Sequence, residues 1–255
     1  MTEATVKELY RYPVKGVRGE RLDSLAIDPA LGVKGDRRFG IKRKPDQPDQ
    51  WATKVHFRVC MNTPAMAAQG PIYLDSAGPA TPHTALDRRW LMEVATVLDE
   101  PEVGLLDTRG AYNLVDTDPF KHGPTVSFLN LASLRALEAE TGWTIDPKRF
   151  RMNVWFDSGE AFSELAWSDE FPGTKRIAVG NIPMRMQDAC ERCLAIEANP
   201  ATGERDLPVL DALESLLKKR GYRGSPHRGS FHVMGFLAVP LTSGAIEPGQ
   251  TIRLL

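Results

Sequence analysis

Cys190 and Cys193 stand three residues apart in Asp188-Ala189-Cys190-Glu191-Arg192-Cys193, and a turn-forming stretch, Asn199-Pro200-Ala201-Thr202-Gly203, follows them. A thiolate is a nucleophile and a soft metal ligand, and an adjacent arginine favours its charged form. Four chemistries fit such a pair. A zinc site needs two further ligands, and the rest of the chain offers Cys60 and five scattered histidines in no matching pattern. A thioredoxin-like redox pair opens a helix after a strand, whereas Leu194-Ala195-Ile196-Glu197 reads as β-like. Two small buried side chains are the plainest reading, because free cysteine is among the most buried residue types. The fourth is a single thiolate, assisted by Arg192, that binds a metal or attacks a substrate.

Three cations occupy loop positions where an anion would be met. Lys15 follows Tyr12-Pro13-Val14, Arg37 follows Gly35-Asp36, and Arg151 ends Lys148-Arg149-Phe150-Arg151. Basic side chains at strand ends, beside glycine or free backbone N–H groups, suit phosphate or another anion. Taken singly, each is more simply a solvated side chain or the partner of a neighbour such as Asp36. His227 and Arg228 lie in a Gly-Ser-Pro loop, a place for a catalytic histidine or for ordinary polar surface. Trp155 and Trp167 read as core or pocket-wall residues.

The composition is that of a soluble globular protein. The chain has 255 residues, 42% hydrophobic and 25% charged, with a formal net charge of −1. That balance gives no global field toward nucleic acid or an anionic membrane, and no run is apolar enough to span a bilayer. Residues 1–10 lack the apolar centre of a signal peptide. Three cysteines cannot all pair. A reducing cytoplasm is therefore the expected compartment, without a disulfide framework.

The elements that must position these residues are mostly short strands. Period-2 patterning predicts strands over 5–13, 22–27, 38–42, 103–106, 125–129, 152–156, 175–179, 182–186, 194–197, 230–239 and 251–255. Helical spacing predicts helices over 86–98, from Asn130 or Ser133 to about Thr141, and over 207–219. Gly142 sits where a helix C-terminal glycine belongs. The polar connection Asp116 to Pro124 suggests two units, 1–115 and 116–255. Many strands with few helices predict an α+β protein built on a barrel or strongly bent sheets.

Read together, the motifs resemble the MOSC family, the molybdenum cofactor sulfurase C-terminal domain, preceded by its N-terminal β-barrel. The resemblance rests on Tyr12-Pro13-Val14-Lys15, on Gly32-Val33-Lys34-Gly35-Asp36-Arg37-Arg38-Phe39, and on Phe150-Arg151-Met152-Asn153-Val154. It extends to Cys190-Glu191-Arg192-Cys193 with Asn199-Pro200-Ala201-Thr202-Gly203, to Ser225-Pro226 through Gly229, and to Ile246-Glu247-Pro248-Gly249-Gln250. The chain is most similar to the branch that contains the mitochondrial amidoxime reducing component. It departs from the pattern at Gly16 (usually serine), Thr53-Lys54, Met152 (usually proline) and Asn199 (usually aspartate).

That resemblance implies a β-barrel-rich MOSC fold with a few peripheral helices, 1–115 forming the N-terminal barrel-like domain and 116–255 the MOSC domain. It implies a molybdenum-pterin cofactor, with Cys193 as metal ligand, Arg192 as its helper, and Lys15, Arg37 and Arg151, with Asn153 nearby, binding the pterin or its phosphate. The implied reaction is reduction of N-hydroxylated or N-oxide-type substrates, and the electrons must come from a separate protein because no haem, flavin or ferredoxin pattern is present. Two alternatives stay open: a sulfur-transfer protein using a Cys193 persulfide, and a non-catalytic cofactor carrier.

Overall fold

The computed structural model describes residues 3–16, 19–42, 92, 95–96, 101–107, 124–168, 175–225 and 229–255. Seven strands close into a barrel. Its cyclic order is β1 (Ala4–Arg11), β8 (Val154–Asp157), β7 (Val126–Asn130), β11 (Val233–Pro240), β10 (Ile182–Glu191), β9 (Arg176–Val179) and β13 (Thr251–Leu254), which returns to β1 through Ala4↔Ile252 and Thr5↔Thr251. β2 (Glu20–Leu22) adds to the outer side of β1, and β3 (Leu25–Asp28) joins β4 (Gly32–Val33) and β12 (Gly244–Ile246) in a small sheet. β5 (Phe39–Lys42) pairs with β6 (Gly104–Asp107). Closing the barrel gives each of its seven strands a neighbour on both sides. Strands from both sides of residue 115 share it.

All the barrel pairings are antiparallel except β7–β8, which run parallel. Parallel neighbours need a long crossover, and here it contains α1 (Leu131–Thr141). Asn130 caps α1, its side chain accepting from Ala132 N at 3.1 Å, and Gly142 ends it in the left-handed region (φ 72°). Two further helices, α2 (Ser163–Ser168) and α3 (Val209–Lys219), pack outside the barrel. The result is a barrel-based α+β fold, as the patterning predicts.

The barrel interior is filled by Val6, Leu9, Phe128, Val154, Phe156, Met184, Phe236 and Ile252, among others. Phe128 and Phe236 stack at 4.6 Å, and Phe156 meets both edge-on. A second core lies between the barrel's outer surface and α1 and α3, built on Tyr10, Tyr12, Phe150, Trp155 and Leu213. A bulge between Val6 and Glu8 lets β1 serve both cores: Val6 and Leu9 face inward and Tyr10 turns to the outer core.

Several expected boundaries shift. The predicted strand over 22–27 divides into β2 and β3, and β10 runs five residues beyond the expected Met186, through to Glu191. The expectation of a strand at 194–197 is corrected: Leu194–Glu197 is a 3₁₀ turn, closed by Ile196 N to Cys193 O at 3.2 Å and Ala198 N to Ala195 O at 3.3 Å. Four residues with two alternating apolar side chains satisfy either period, and tertiary packing decides. Of the helix expected over 86–98, residues 92, 95 and 96 are helical and the remainder lies outside the described residues. Cys60, Thr53-Lys54, His227 and Arg228 also lie outside them, as does the side chain of Trp167. Trp155 is a core residue, stacked on Tyr10 at 4.3 Å.

Candidate functional site

β1 ends at Arg11 because Pro13 cannot continue its hydrogen bonding. The chain then lies against the segment entering β5 through a short ladder: Arg37 N to Tyr12 O at 2.6 Å, Phe39 N to Pro13 O at 3.0 Å, and Lys15 N to Phe39 O at 2.7 Å. This brings Lys15 and Arg37, 22 positions apart in sequence, onto adjoining loops. Lys15 is half-buried and Arg37 buried.

Asp36 is fully buried and organises the floor. Its Oδ1 accepts from Tyr12 N at 2.7 Å and from Asn153 Nδ2 at 3.0 Å, and its Oδ2 pairs with Arg37 Nη1. The other arm of Arg37, Nη2, donates to Arg151 O at 2.7 Å. Asn153 is wholly engaged by the protein. Its Oδ1 accepts from Ser127 Oγ at 2.7 Å, and its Nδ2 donates to Asp36 and to Tyr10 O at 3.1 Å. With both amide hydrogens donated, Asn153 aligns Asp36 and has no donor left for an anion.

Arg151 follows a 3₁₀ turn, Pro147–Phe150, that is capped by Asp146. Arg37 (φ 46°) and Arg151 (φ 54°) both adopt the left-handed backbone region, as does Phe162. Such a conformation costs a non-glycine residue about 1–3 kcal/mol and is held only where surrounding contacts over-determine it, as they commonly do at functional sites. Both guanidinium groups lie over the Tyr12 ring, at 5.1 Å for Arg37 and 4.8 Å for Arg151. Burial pushes the Tyr12 phenol above its ordinary value, although Arg151 and Arg37 pull it down, so Tyr12 serves as a neutral π platform.

The two thiols lie at the end of β10 and just beyond it. Cys190 lies half-buried one residue before the end of the long strand β10, while Cys193 is exposed at the head of the Leu194–Glu197 turn. On an extended segment residues i and i+2 share a face, and Arg192 Nη1 accordingly reaches Cys190 Sγ at 3.0 Å. The arginine expected beside Cys193 is therefore directed to Cys190. Its Nη2 donates to Phe150 O at 2.6 Å, and Met152 Sδ lies 3.7 Å from Nη1. Arg192, between Cys190 and Cys193 in sequence, thus ties this segment through Phe150 O to the loop of Arg151, which Arg37 ties in turn to the Lys15 loop.

Sequence reasoning did not assign roles to Tyr12, Ser127 or Arg149. Arg149 is 3% exposed, its Nη1 donates to Glu197 O at 3.0 Å, and its Nη2 meets both Asp206 oxygens at 2.7 and 2.9 Å. Burial raises the Asp206 carboxyl, but hydrogen bonds from Arg149 and Asn199 outweigh it and leave the group below its ordinary value. Glu197, also buried, accepts from Arg205 Nε at 3.1 Å. The signal for Arg149 was its neighbourhood: an arginine directly before Phe150 at a turn end has two carboxylate-bearing segments within reach only once the chain is folded.

Comparison with known proteins adds to this geometry. Residues 119–253 match the MOSC domain, and residues 3–89 match the MOSC N-terminal beta barrel domain. The molybdenum cofactor sulfurase of Drosophila melanogaster is 35% identical over 92 residues, 36% of this chain and 11% of that protein. That of Drosophila pseudoobscura pseudoobscura is 32% identical over 88 residues, 34% of this chain and 10% of that protein. The chain thus aligns with about a tenth of these curated relatives' length. Among solved structures, the YUAD protein from Bacillus subtilis has a TM-score of 0.43 at 12% identity, over 99% of this chain and 95% of that one. YiiM from Geobacillus stearothermophilus has a TM-score of 0.34 at 17% identity, over 51% of this chain and 53% of that one. With the MOSC match covering more than half of its residues, the chain belongs to the MOSC domain family and carries the MOSC N-terminal beta barrel domain ahead of it.

Proposed function

We propose that this protein binds a molybdenum-pterin cofactor through Cys193 and the Lys15–Arg151 cations, and reduces N-hydroxylated or N-oxide-type small molecules with electrons from a separate donor protein. The observation that carries the reading is the exposed Cys193 thiol directly after Arg192, whose guanidinium bonds to Phe150 O beside Arg151, itself bonded to Arg37. A soft thiolate and separated cations suit a ligand with a soft metal at one end and a phosphate at the other. The residues present fit that group: Cys193 is accessible, and Lys15 and Arg151 stand on loops whose backbones are already fixed.

Within this reading Cys193 supplies the thiolate ligand. Lys15 and Arg151 receive the phosphate. Arg37 contributes positive potential but commits both terminal nitrogens to Asp36 and Arg151, so it and Asn153 shape the anion site from beneath. When bound, the cofactor supplies the two-electron chemistry that removes oxygen from the substrate. The kinship to the amidoxime reducing branch, the cytoplasmic location and the two-part division at residue 115/116 belong to the same proposal. No described helix is long and apolar enough to cross a membrane.

A second reading is sulfur transfer through a Cys193 persulfide, favoured by the name of the curated relatives, molybdenum cofactor sulfurase. A cofactor carrier without catalysis is the third. One preparation separates them: protein from a cofactor-competent host, beside Cys193→Ser, measured for molybdenum, sulfane sulfur and reduction of an N-hydroxylated compound by an artificial donor. Molybdenum near one per chain, lost in the variant and accompanied by turnover, is the expected result. Sulfane sulfur without metal would replace this reading with sulfur transfer, and metal without turnover would replace it with the carrier.

A further inference from the structure

The 147–151 and 190–197 segments each extend an arginine to a backbone carbonyl of the other. Arg149, inside the Pro147–Phe150 turn, donates to Glu197 O at 3.0 Å, at the far end of the turn that Cys193 heads. Arg192, just before Cys193, donates back to Phe150 O at 2.6 Å, one residue before Arg151. Each arginine is anchored a second time behind the crossing: Arg149 on Asp206, and Arg192 on Cys190 Sγ at 3.0 Å.

The two guanidinium groups share a further trait. The Nε of each is buried and makes no hydrogen bond. Leaving a buried donor unmade is costly, so the terminal nitrogens must return enough to keep both groups in place. Each spends one terminal nitrogen on a backbone carbonyl of the opposite segment and the other on its anchor, the Asp206 carboxylate for Arg149 and Cys190 Sγ for Arg192. The forked shape, which lysine lacks, allows each side chain to grip a carbonyl and an anchor at once.

We propose that Arg149 and Arg192 form a reciprocal clasp that sets the spacing between the Cys193 thiol and the Arg151 loop, making them positioning residues for whatever ligand bridges the two. The inference rests on the reading that Cys193 and Arg151 hold opposite ends of one cofactor. It gives Arg192 a different task from acidifying Cys193. It also gives Cys190 a task, as the anchor that aims Arg192. Because the clasp works as one unit, opening either half releases the same constraint.

The test uses full-length Arg149→Lys, Arg192→Lys and the double variant, made in a cofactor-competent host beside Cys193→Ser. Molybdenum retention is measured through dialysis. The rate of Cys193 alkylation by iodoacetamide is followed by peptide mass spectrometry on cofactor-free protein. Each single variant is expected to weaken retention roughly 10- to 100-fold, the scale on which supporting partners of metal sites act. The double variant should lose little more than either single one, and Cys193 alkylation should shift in the same direction in all three. Melting temperatures report bulk destabilisation separately. Full retention in both single variants, with Cys193→Ser depleted, overturns the clasp. Metal kept by Cys193→Ser sinks the ligand assignment instead, and the clasp is then decided by alkylation: an unchanged rate in both lysine variants overturns it. Should Arg149→Lys not accumulate as folded protein, Asp206→Asn, which loosens Arg149 from behind, takes its place.

Discussion

Arg37 and Arg151, 114 positions apart, are joined by a hydrogen bond from the guanidinium of the first to the backbone carbonyl of the second at 2.7 Å. Both have left-handed backbones and both lie over the ring of Tyr12. One loop therefore holds the other in a conformation that neither sequence favours alone, and the cation that projects from the second is aimed by the first.

Removing either half of the buried pair beneath this arrangement should be expensive. Arg37→Ala leaves Asp36 buried with its charge unmatched, and should cost about 3–5 kcal/mol in denaturant unfolding. Asp36→Ala should cost a similar amount, since it also strands Tyr12 N and Asn153 Nδ2. The double variant should cost less than the sum of the two, because it removes the uncompensated charge. Additive losses would show that the pair is not coupled as the geometry indicates.

Arg151 carries a backbone requirement and a side-chain task, and substitution can separate them. Arg151→Gly accepts φ 54° without strain, whereas Arg151→Ala adds roughly 1 kcal/mol of backbone cost. Both should lose cofactor retention alongside Lys15→Ala, but the glycine variant should be the more stable on melting. Unchanged molybdenum in Lys15→Ala and both Arg151 variants would place the anion site elsewhere.

Glu164 gives the fold a pH dependence of its own. It is fully buried, and burial pushes its carboxyl from 4.5 up to about 6, against hydrogen bonds from Asn130 at 2.7 Å and Ser133 at 2.7 Å that pull it down. A carboxyl that holds its proton more tightly when folded contributes stability that is fully present below about pH 4.5. That contribution is lost as pH rises through about 6, a loss of about 2 kcal/mol. In Glu164→Gln this decline should vanish from the stability profile. The variant should also be less stable at neutral pH by about 1–3 kcal/mol, since an amide N–H then meets a donor. A slope between pH 4.5 and 6 identical to that of the parent protein would remove Glu164 as its source.

Gly235 sits in β11 with φ 74°, and a Cβ there would fall 2.0 Å from Phe128 O across the β7 pairing. Gly235→Ala should therefore destabilise by about 4 kcal/mol or more, the range reserved for changes the backbone cannot absorb. A melting temperature within a few degrees of the parent protein's would mean the two strands can part there without consequence.

The strands were legible because their period of two records which side faces a core, and α1 was legible because Asn130 and Gly142 punctuate it. The Leu194–Glu197 turn was not, since four residues are too few for a period to declare itself. The basic loops could be seen as loops from Pro13, Gly16 and Gly35. What the sequence could not convey was division of labour among the cations: Arg37 is spent on Asp36 and the Arg151 carbonyl, Arg192 on Cys190 and the Phe150 carbonyl. Those commitments depend on segments more than a hundred positions apart in the first case and forty in the last. The engagement of Asn153 was hidden for the same reason, because its partners come from β1, β7 and the turn before β5.

The pairing of β1 with β13 closes the barrel between residues 248 positions apart in the sequence, Ala4 and Ile252. Ala4 waits for Ile252, so during translation β1 has only its local neighbour β2 until the strands of the second half emerge. Non-local closures of this kind are slow, and they expose strand edges in the interval. The loop that carries Lys15 hangs from that waiting strand. The candidate site, which draws on residues 15, 151 and 193, accordingly takes shape only once the later strands have joined β1.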